Sequence, residues 1–141
     1  QQYLCKPHFQ NRRMKTFAAG EVRQLVLTVQ VADTAAFAAG QVHPVYATFA
    51  VARDAEWACR QFVLEGKAAD EEGIGTFVEV QHHSPAKPGT QVTYTATVES
   101  HDKGHLICRW EAHAGERLLA SGRTGQKVLP KEKLEQLFAG L

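Results

Sequence analysis

Apolar and polar residues nearly alternate along "GEVRQLVLTVQV" (20–31), and this period of two predicts a strand with one buried face. The period then changes. In "VYATFAVARDAEWACRQFV" (45–63) apolar residues recur at helical spacing, at Val45, Phe49, Ala52, Cys59 and Val63. The stretch is rich in Ala and contains neither Gly nor Pro. A helix over about 44–65 follows, with Pro44 at its first position, where a missing N–H goes unnoticed. At ~1.5 Å per residue it is roughly 30 Å long, enough to cross a whole sheet. The segment before it, "ADTAAFAAGQVHP" (32–44), reads as a small-residue connector with room for one short helical turn, and "EGKAADEEGIG" (65–75) as the loop that ends the helix.

Four strand-like segments come next: "GTFVEVQHH" (75–83), "TQVTYTATVES" (90–100), "HLICRWEAH" (105–113) and "RLLASGRTGQKVL" (117–129). The turns between them, "SPAKPG", "HDKG" and "AGE", are short enough to demand antiparallel hairpins. "GRTGQK" is a candidate turn or bulge. "PKEKLEQLFAGL" closes the sequence as a short helix with Pro130 at its first position. One strand, one long helix and four antiparallel strands predict an α+β architecture: a curved sheet of about five strands wrapped around a central helix. This is the hotdog arrangement. One helix covers only part of such a sheet, so a pair of domains joined edge to edge is expected.

The helical stripe has one interruption, because position 56 is Glu. A carboxylate on a half-buried face costs several kcal/mol unless it is paired or hydrogen-bonded. The plain explanation is an i,i+4 pair with Arg60, worth little at a surface; the other is chemistry. Alternation in 75–83 puts Thr76, Val78, Val80 and His82 on the helix-facing side and Phe77, Glu79, Gln81 and His83 on the other. His82 is then either a satisfied core histidine or a proton carrier. His43, His101, His105 and His113 fall in turns or at strand ends and read as solvated. Thr48, in the first turns of the helix, is a packing or capping residue, or a hydroxyl beside helix-start amides that helps hold a carbonyl oxygen.

The chain has 141 residues, 44% hydrophobic and 22% charged, enough for one domain with a sizeable core. Its formal net charge of +1 gives no electrostatic reason to expect nucleic acid, and no apolar run suits a membrane span. Cys5, Cys59 and Cys108 lack metal or disulfide-framework spacing, and with no signal peptide visible they suit a reducing cytoplasm. No His/Cys/carboxylate cluster, phosphate loop or nucleophile elbow is present, so neither a metal nor a cofactor is expected. The only methionine is Met14, and "QQYLCKPHFQNRR" before it has no period. Residues 1–13 are therefore expected to be an extension or added expression sequence, dispensable to a domain over 14–141.

"HPVYATFAVARDAEWAC" followed by "GIGTFVEVQHHSPAKPG" resembles the fluoroacetyl-CoA thioesterase-like branch of the hotdog thioesterases. The likeness spans roughly 18–130. The family's Thr at the helix start falls on Thr48, its Glu eight residues on falls on Glu56 within "EWAC", and its His after a Gly-Thr strand falls on His82. The resemblance implies a Thr/Glu/His site that hydrolyses a small or medium acyl-CoA thioester. Glu56 would act as nucleophile or base, His82 would transfer a proton, and Thr48 with nearby amides would hold the carbonyl oxygen. The glycine that lies near the acyl group in the family falls on Gly75, and Phe49 and Phe37 are expected to help bind the substrate. The chain departs from the family in the connector, where Phe37 is the one aromatic, so selectivity for a fluorinated acyl group is not implied.

Two other functions fit the same fold. A hotdog dehydratase wants Asp and His on one short element, whereas Asp33 and His43 stand ten residues apart. A non-catalytic acyl-CoA or small-ligand binder would keep the pocket without needing Thr48, Glu56 and His82 together. The expected partners are an acyl-CoA substrate and a second copy of the chain, as a homodimer or a higher homo-oligomer.

Overall fold

The computed structural model describes residues 13–141. In chain order the elements are β1 (Val22–Thr28), a 3-10 turn (Val31–Asp33), β2 (Thr34–Phe37), β3 (Gly40–Tyr46), α1 (Thr48–Gly66), β4 (Glu71–Val78), β5 (Gln81–His82), β6 (Gln91–Asp102), β7 (His105–Ala114), β8 (Arg117–Pro130) and α2 (Lys131–Ala139). The main sheet runs β1-β6-β7-β8-β4, with β5 also on β8, and every pairing is antiparallel. It curves around α1, as the element order predicts.

Alternation decides which face is inside. Val92, Tyr94, Ala96 and Val98 of β6 and Leu106, Cys108, Trp110 and Ala112 of β7 are all buried, and their chain neighbours are not. Ala50, Val51, Ala55, Ala58, Cys59, Phe62 and Val63 of α1 pack against them. The alanines let the helix lie close to the sheet. Phe62 fills the far end, edge-on to Phe17. No helix among the described residues is long and apolar enough to cross a membrane.

Several sequence expectations need correction. The connector 32–44 is a two-stranded hairpin, β2–β3, preceded by the 3-10 turn. Pro44 therefore sits inside β3, a strand of a two-stranded sheet that asks little of its N–H. Helix α1 starts four residues later than expected, at Thr48. The Tyr46 N–H donates to the Ala86 carbonyl (2.8 Å) and the Ala47 N–H to the Asp33 carbonyl (2.9 Å), which holds the chain extended up to that point. Phe49, placed on the buried stripe, is 50% exposed, because the face α1 buries is turned toward Ala50 and Val51.

Strand 75–83 is really two. β4 begins four residues earlier, at Glu71, and a bulge between Gly75 and Phe77 resets its alternation, so Gly75 rather than Thr76 faces the helix. "GRTGQK" is not a turn but the interior of β8, and the bulge lies in the strand beside it. Pro130 is the cap of α2 rather than its first residue. His101 is half-buried: its Nδ1 accepts from the Phe17 N–H at 3.0 Å, and burial holds its pKa below the usual histidine value. Of the expected extension 1–13, all but Arg13 lies outside the described residues. Met14 and Phe17 pack on the core just beyond it.

Candidate active site

Strands β4 and β5 run along the helix in the opposite direction, so each residue of interest on α1 meets one on the sheet. Near the C-terminus of α1, Val63 and Arg60 lie against Gly73. In mid-helix Glu56 lies against Gly75. At the helix start Thr48 meets His82.

The last contact is direct: Thr48 Oγ1 and His82 Nδ1 are 3.0 Å apart. Thr48 is the first helical residue, and the first helical hydrogen bond is donated by Val51 to Ala47. The N–H groups of residues 48–50 thus have no partner within the helix, and the positive end of its dipole lies beside the hydroxyl. His82 Nε2 is buried without a hydrogen-bond partner among the described residues. In a neutral imidazole one nitrogen donates and the other accepts. Whichever role Nδ1 takes toward Thr48, Nε2 is left free for a reacting group. His83 points the other way, its Nε2 2.9 Å from Ser121 Oγ, as the alternation predicts.

Glu56 is half-buried, and its carboxylate makes no hydrogen bond or ion pair among the described residues. The i,i+4 pair with Arg60 does not form: Arg60 donates to Glu72 Oε1 at 2.6 Å and to the Gly73 carbonyl at 3.4 Å, and its guanidinium holds the Glu72 carboxyl below the usual range. A Cβ at Gly75 would stand 2.3 Å from Glu56 Oε1, so only glycine leaves room for this carboxylate against the sheet.

Two polar groups that the sequence reading missed lie close by. Gln126 of β8 pairs directly with Gly75 of β4, on the same inner face, and is 2% exposed. Its Nε2 has no partner among the described residues, nor does the hydroxyl of buried Thr124 on the same row. The signal was present, since alternation in "RTGQKVL" puts Thr124, Gln126 and Val128 on one face. The second miss is Asp54. Its buried carboxylate accepts from the Tyr46 hydroxyl, which lies 2.8 Å from that of Tyr94, and from Arg53, which also reaches Asp33 at 2.8 Å. This network ties the hairpin base to α1 and to β6, and burial helps keep the Tyr46 and Tyr94 phenols protonated.

The structure therefore brings Thr48 and His82 together and leaves Glu56 apart. Eight helical residues separate Thr48 from Glu56, roughly 12 Å along the axis and about 80° around it. Phe37 and Phe49 meet edge-on with ring centres 5.7 Å apart, both on the outside of the helix start and half or more exposed. An unpaired carboxylate, an imidazole with a buried, unpartnered nitrogen and unpaired helix-start amides suit acyl transfer to water.

Residues 29–132 match the family of the fluoroacetyl-CoA-specific thioesterase. No protein of curated function matches the chain. Among solved structures, the Thermus thermophilus hypothetical protein TTHA0967, a thioesterase superfamily member, is 36% identical over 89% of this chain and 93% of its own, with a TM-score of 0.85. The fluoroacetyl-CoA thioesterase FlK is 26% identical over 89% of this chain and 98% of its own, with a TM-score of 0.81. A mutant of FlK in complex with fluoroacetate and CoA is 27% identical over 84% of this chain and 99% of its own, with a TM-score of 0.77.

Proposed function

The chain belongs to the fluoroacetyl-CoA-specific thioesterase family, and we propose that it hydrolyses small or medium acyl-CoA thioesters with Thr48, Glu56 and His82. The observation that carries this reading is the Thr48–His82 contact at the start of α1, with an unpaired carboxylate on the same helix. The carbonyl oxygen is held by the Thr48 hydroxyl and helix-start amides, which gain strength as negative charge develops on it. Glu56 takes a proton from water, and the water oxygen bonds to the carbonyl carbon. The tetrahedral intermediate then breaks its C–S bond, and the proton that Glu56 took from water passes through His82 to the departing thiolate. In a second route Glu56 itself attacks and the resulting anhydride is hydrolysed. A single turnover in ¹⁸O-water that labels the Glu56 carboxylate identifies the anhydride route, with water opening the anhydride at the Glu56 carbonyl; the general-base route puts label only into the product acid.

The active unit is a homodimer in this reading. Glu56 stands too far from its own Thr48 to share one carbonyl carbon with it, and a second α1 laid antiparallel brings the partner's Glu56 toward the Thr48–His82 pair. The exposed apolar side chains Phe37, Val42, Phe49 and Trp57 lie on the hairpin and on the outer side of α1, where a second copy would cover them. The free thiols of Cys59 and Cys108 support a reducing cytoplasm as the compartment.

The test is thiol release from a panel of acyl-CoAs running from acetyl and fluoroacetyl to medium straight chains. Turnover should be clear for at least one short or medium acyl group. A panel that releases no thiol at micromolar enzyme sinks the proposal in favour of a binding protein.

A further inference from the structure

Beyond the carbonyl site, a hollow of about 270 Å³ is lined by Val45, Pro85, Ala86, Lys87, Thr90 and Arg117, on the segments that lead to Thr48 and away from His82. It is three residues from Thr48 through Val45 and three from His82 through Pro85. Its floor is apolar and its rim carries two cations. Neither Lys87 nor Arg117 forms an ion pair among the described residues. In contrast, Arg23, Arg53, Arg60 and Arg123 all hold carboxylates.

The frame around the hollow is fixed. Arg117 donates from Nη1 to Ser84 Oγ and to the Pro85 carbonyl (2.6 Å), which leaves Nε and Nη2 with no partner among the described residues. Lys87 opens a tight turn, "KPGT", closed by a 3.2 Å bond from the Thr90 N–H to the Lys87 carbonyl, with Gly89 at a φ of +91° that favours glycine. The turn is bonded to Val29 on both sides, and Ala86 accepts from the Tyr46 N–H. Two cations without carboxylate partners on braced backbone suit an anion, and a guanidinium with a free edge matches phosphate oxygens in pairs.

We infer that Lys87 and Arg117 bind the phosphates at the nucleotide end of the CoA substrate. The inference rests on the acyl-CoA reading above and extends it to the far end of that molecule. The reach agrees. From sulfur to the diphosphate, CoA has about thirteen bonds, roughly 15 Å when extended. From His82 to Lys87 is five residues, at most ~17 Å at ~3.3 Å per residue. A chain with a net charge of only +1 has to attract this polyanion by local cations.

The experiment compares the best acyl-CoA with the same acyl group on pantetheine, which has no phosphate. Lys87→Glu should raise KM for acyl-CoA at least about tenfold, the scale of one charge-assisted hydrogen bond, with kcat within about twofold. Its kcat/KM for the acyl-pantetheine should match the native enzyme. Arg117→Gln should do the same, and the rise of native KM with added salt should flatten in both variants. An unchanged KM for acyl-CoA in Lys87→Glu overturns the inference, as does an equal loss on both thioesters. If the native protein turns over neither thioester, the hydrolase reading falls by itself. Calorimetry with 3′,5′-ADP then decides the site: at least tenfold weaker binding by Lys87→Glu upholds it, and equal binding overturns it.

Discussion

In the proposed mechanism single residues carry the chemistry, and each is expected to be removable with little harm to the fold. Glu56→Gln keeps the shape of the side chain and loses the base; His82→Ala removes the imidazole. Each is expected to cost at least ~100-fold in thioester hydrolysis, the usual worth of acid–base catalysis, with the melting temperature within a few degrees of native. A variant that hydrolyses its best acyl-CoA at the native rate has been given the wrong role. Gly75→Ala tests position rather than identity. Its Cβ would fall 2.3 Å from Glu56 Oε1, and the end of a flexible side chain moves more readily than a strand. Hydrolysis should therefore drop about tenfold or more while stability hardly changes. At this scale much was legible. Spacing singled out Glu56 as an intruder on an apolar stripe, and alternation turned His82 rather than His83 inward. Gln126 was legible too, in the alternation of Thr124, Gln126 and Val128, but Asp54 was not, because its role shows only once Tyr46, Tyr94 and Arg53 are seen around it.

Elements were read best where one periodicity held throughout. The strands of 90–129 and the body of α1 followed their patterns within a few residues. The hairpin β2–β3 did not, since "ADTAAFAAGQVHP" has no alternation and few strand-forming residues. Tertiary bonds at its base hold it instead. The Asp33 carboxylate accepts from the Gln30 N–H at 2.8 Å and from Arg53. Burial alone would raise its pKa, but those two donors outweigh burial and hold it below the ordinary carboxylate value. A depressed folded-state pKa gives stability that is present above the unfolded value near ~3.9 and is lost as pH falls through the folded value. Asp33→Asn should thus cost on the order of 1 kcal/mol at pH 7, a modest figure because Arg53 is 58% exposed and screened by water. The difference between native and variant in urea denaturation should shrink steadily below about pH 4. A gap that stays constant down to pH 2 would show that the carboxylate charge is irrelevant to the hairpin.

At the scale of the whole molecule the order of strands and helix was enough to give the sheet and its central helix, because short turns leave few ways to pair five strands. Assembly leaves a weaker trace. A surface meant for a second copy carries the same residues as any exposed face, and the aromatic side chains Phe37, Phe49 and Trp57 become conspicuous only once they are seen outside the core. Geometry makes the stronger case. Thr48 is 3.0 Å from His82 of its own chain, yet two turns of helix separate it from its own Glu56. In the proposed site a lone chain would hold the oxyanion groups and the carboxylate as two half-sites. Two antiparallel copies of α1 would join each half to its complement, and a closed pair would also cover sheet edges that a single domain leaves open. Thr48→Ala and Glu56→Gln are each expected to be nearly inactive alone. After subunit exchange, mixed dimers should regain up to one working site per dimer, built from the intact Thr48 of one copy and the intact Glu56 of the other. In an equal mixture half of the dimers are mixed, so activity should return to about a quarter of the native level per subunit. If native mass spectrometry shows complete exchange and no activity returns, Glu56 serves the Thr48 of its own chain and the shared site is wrong.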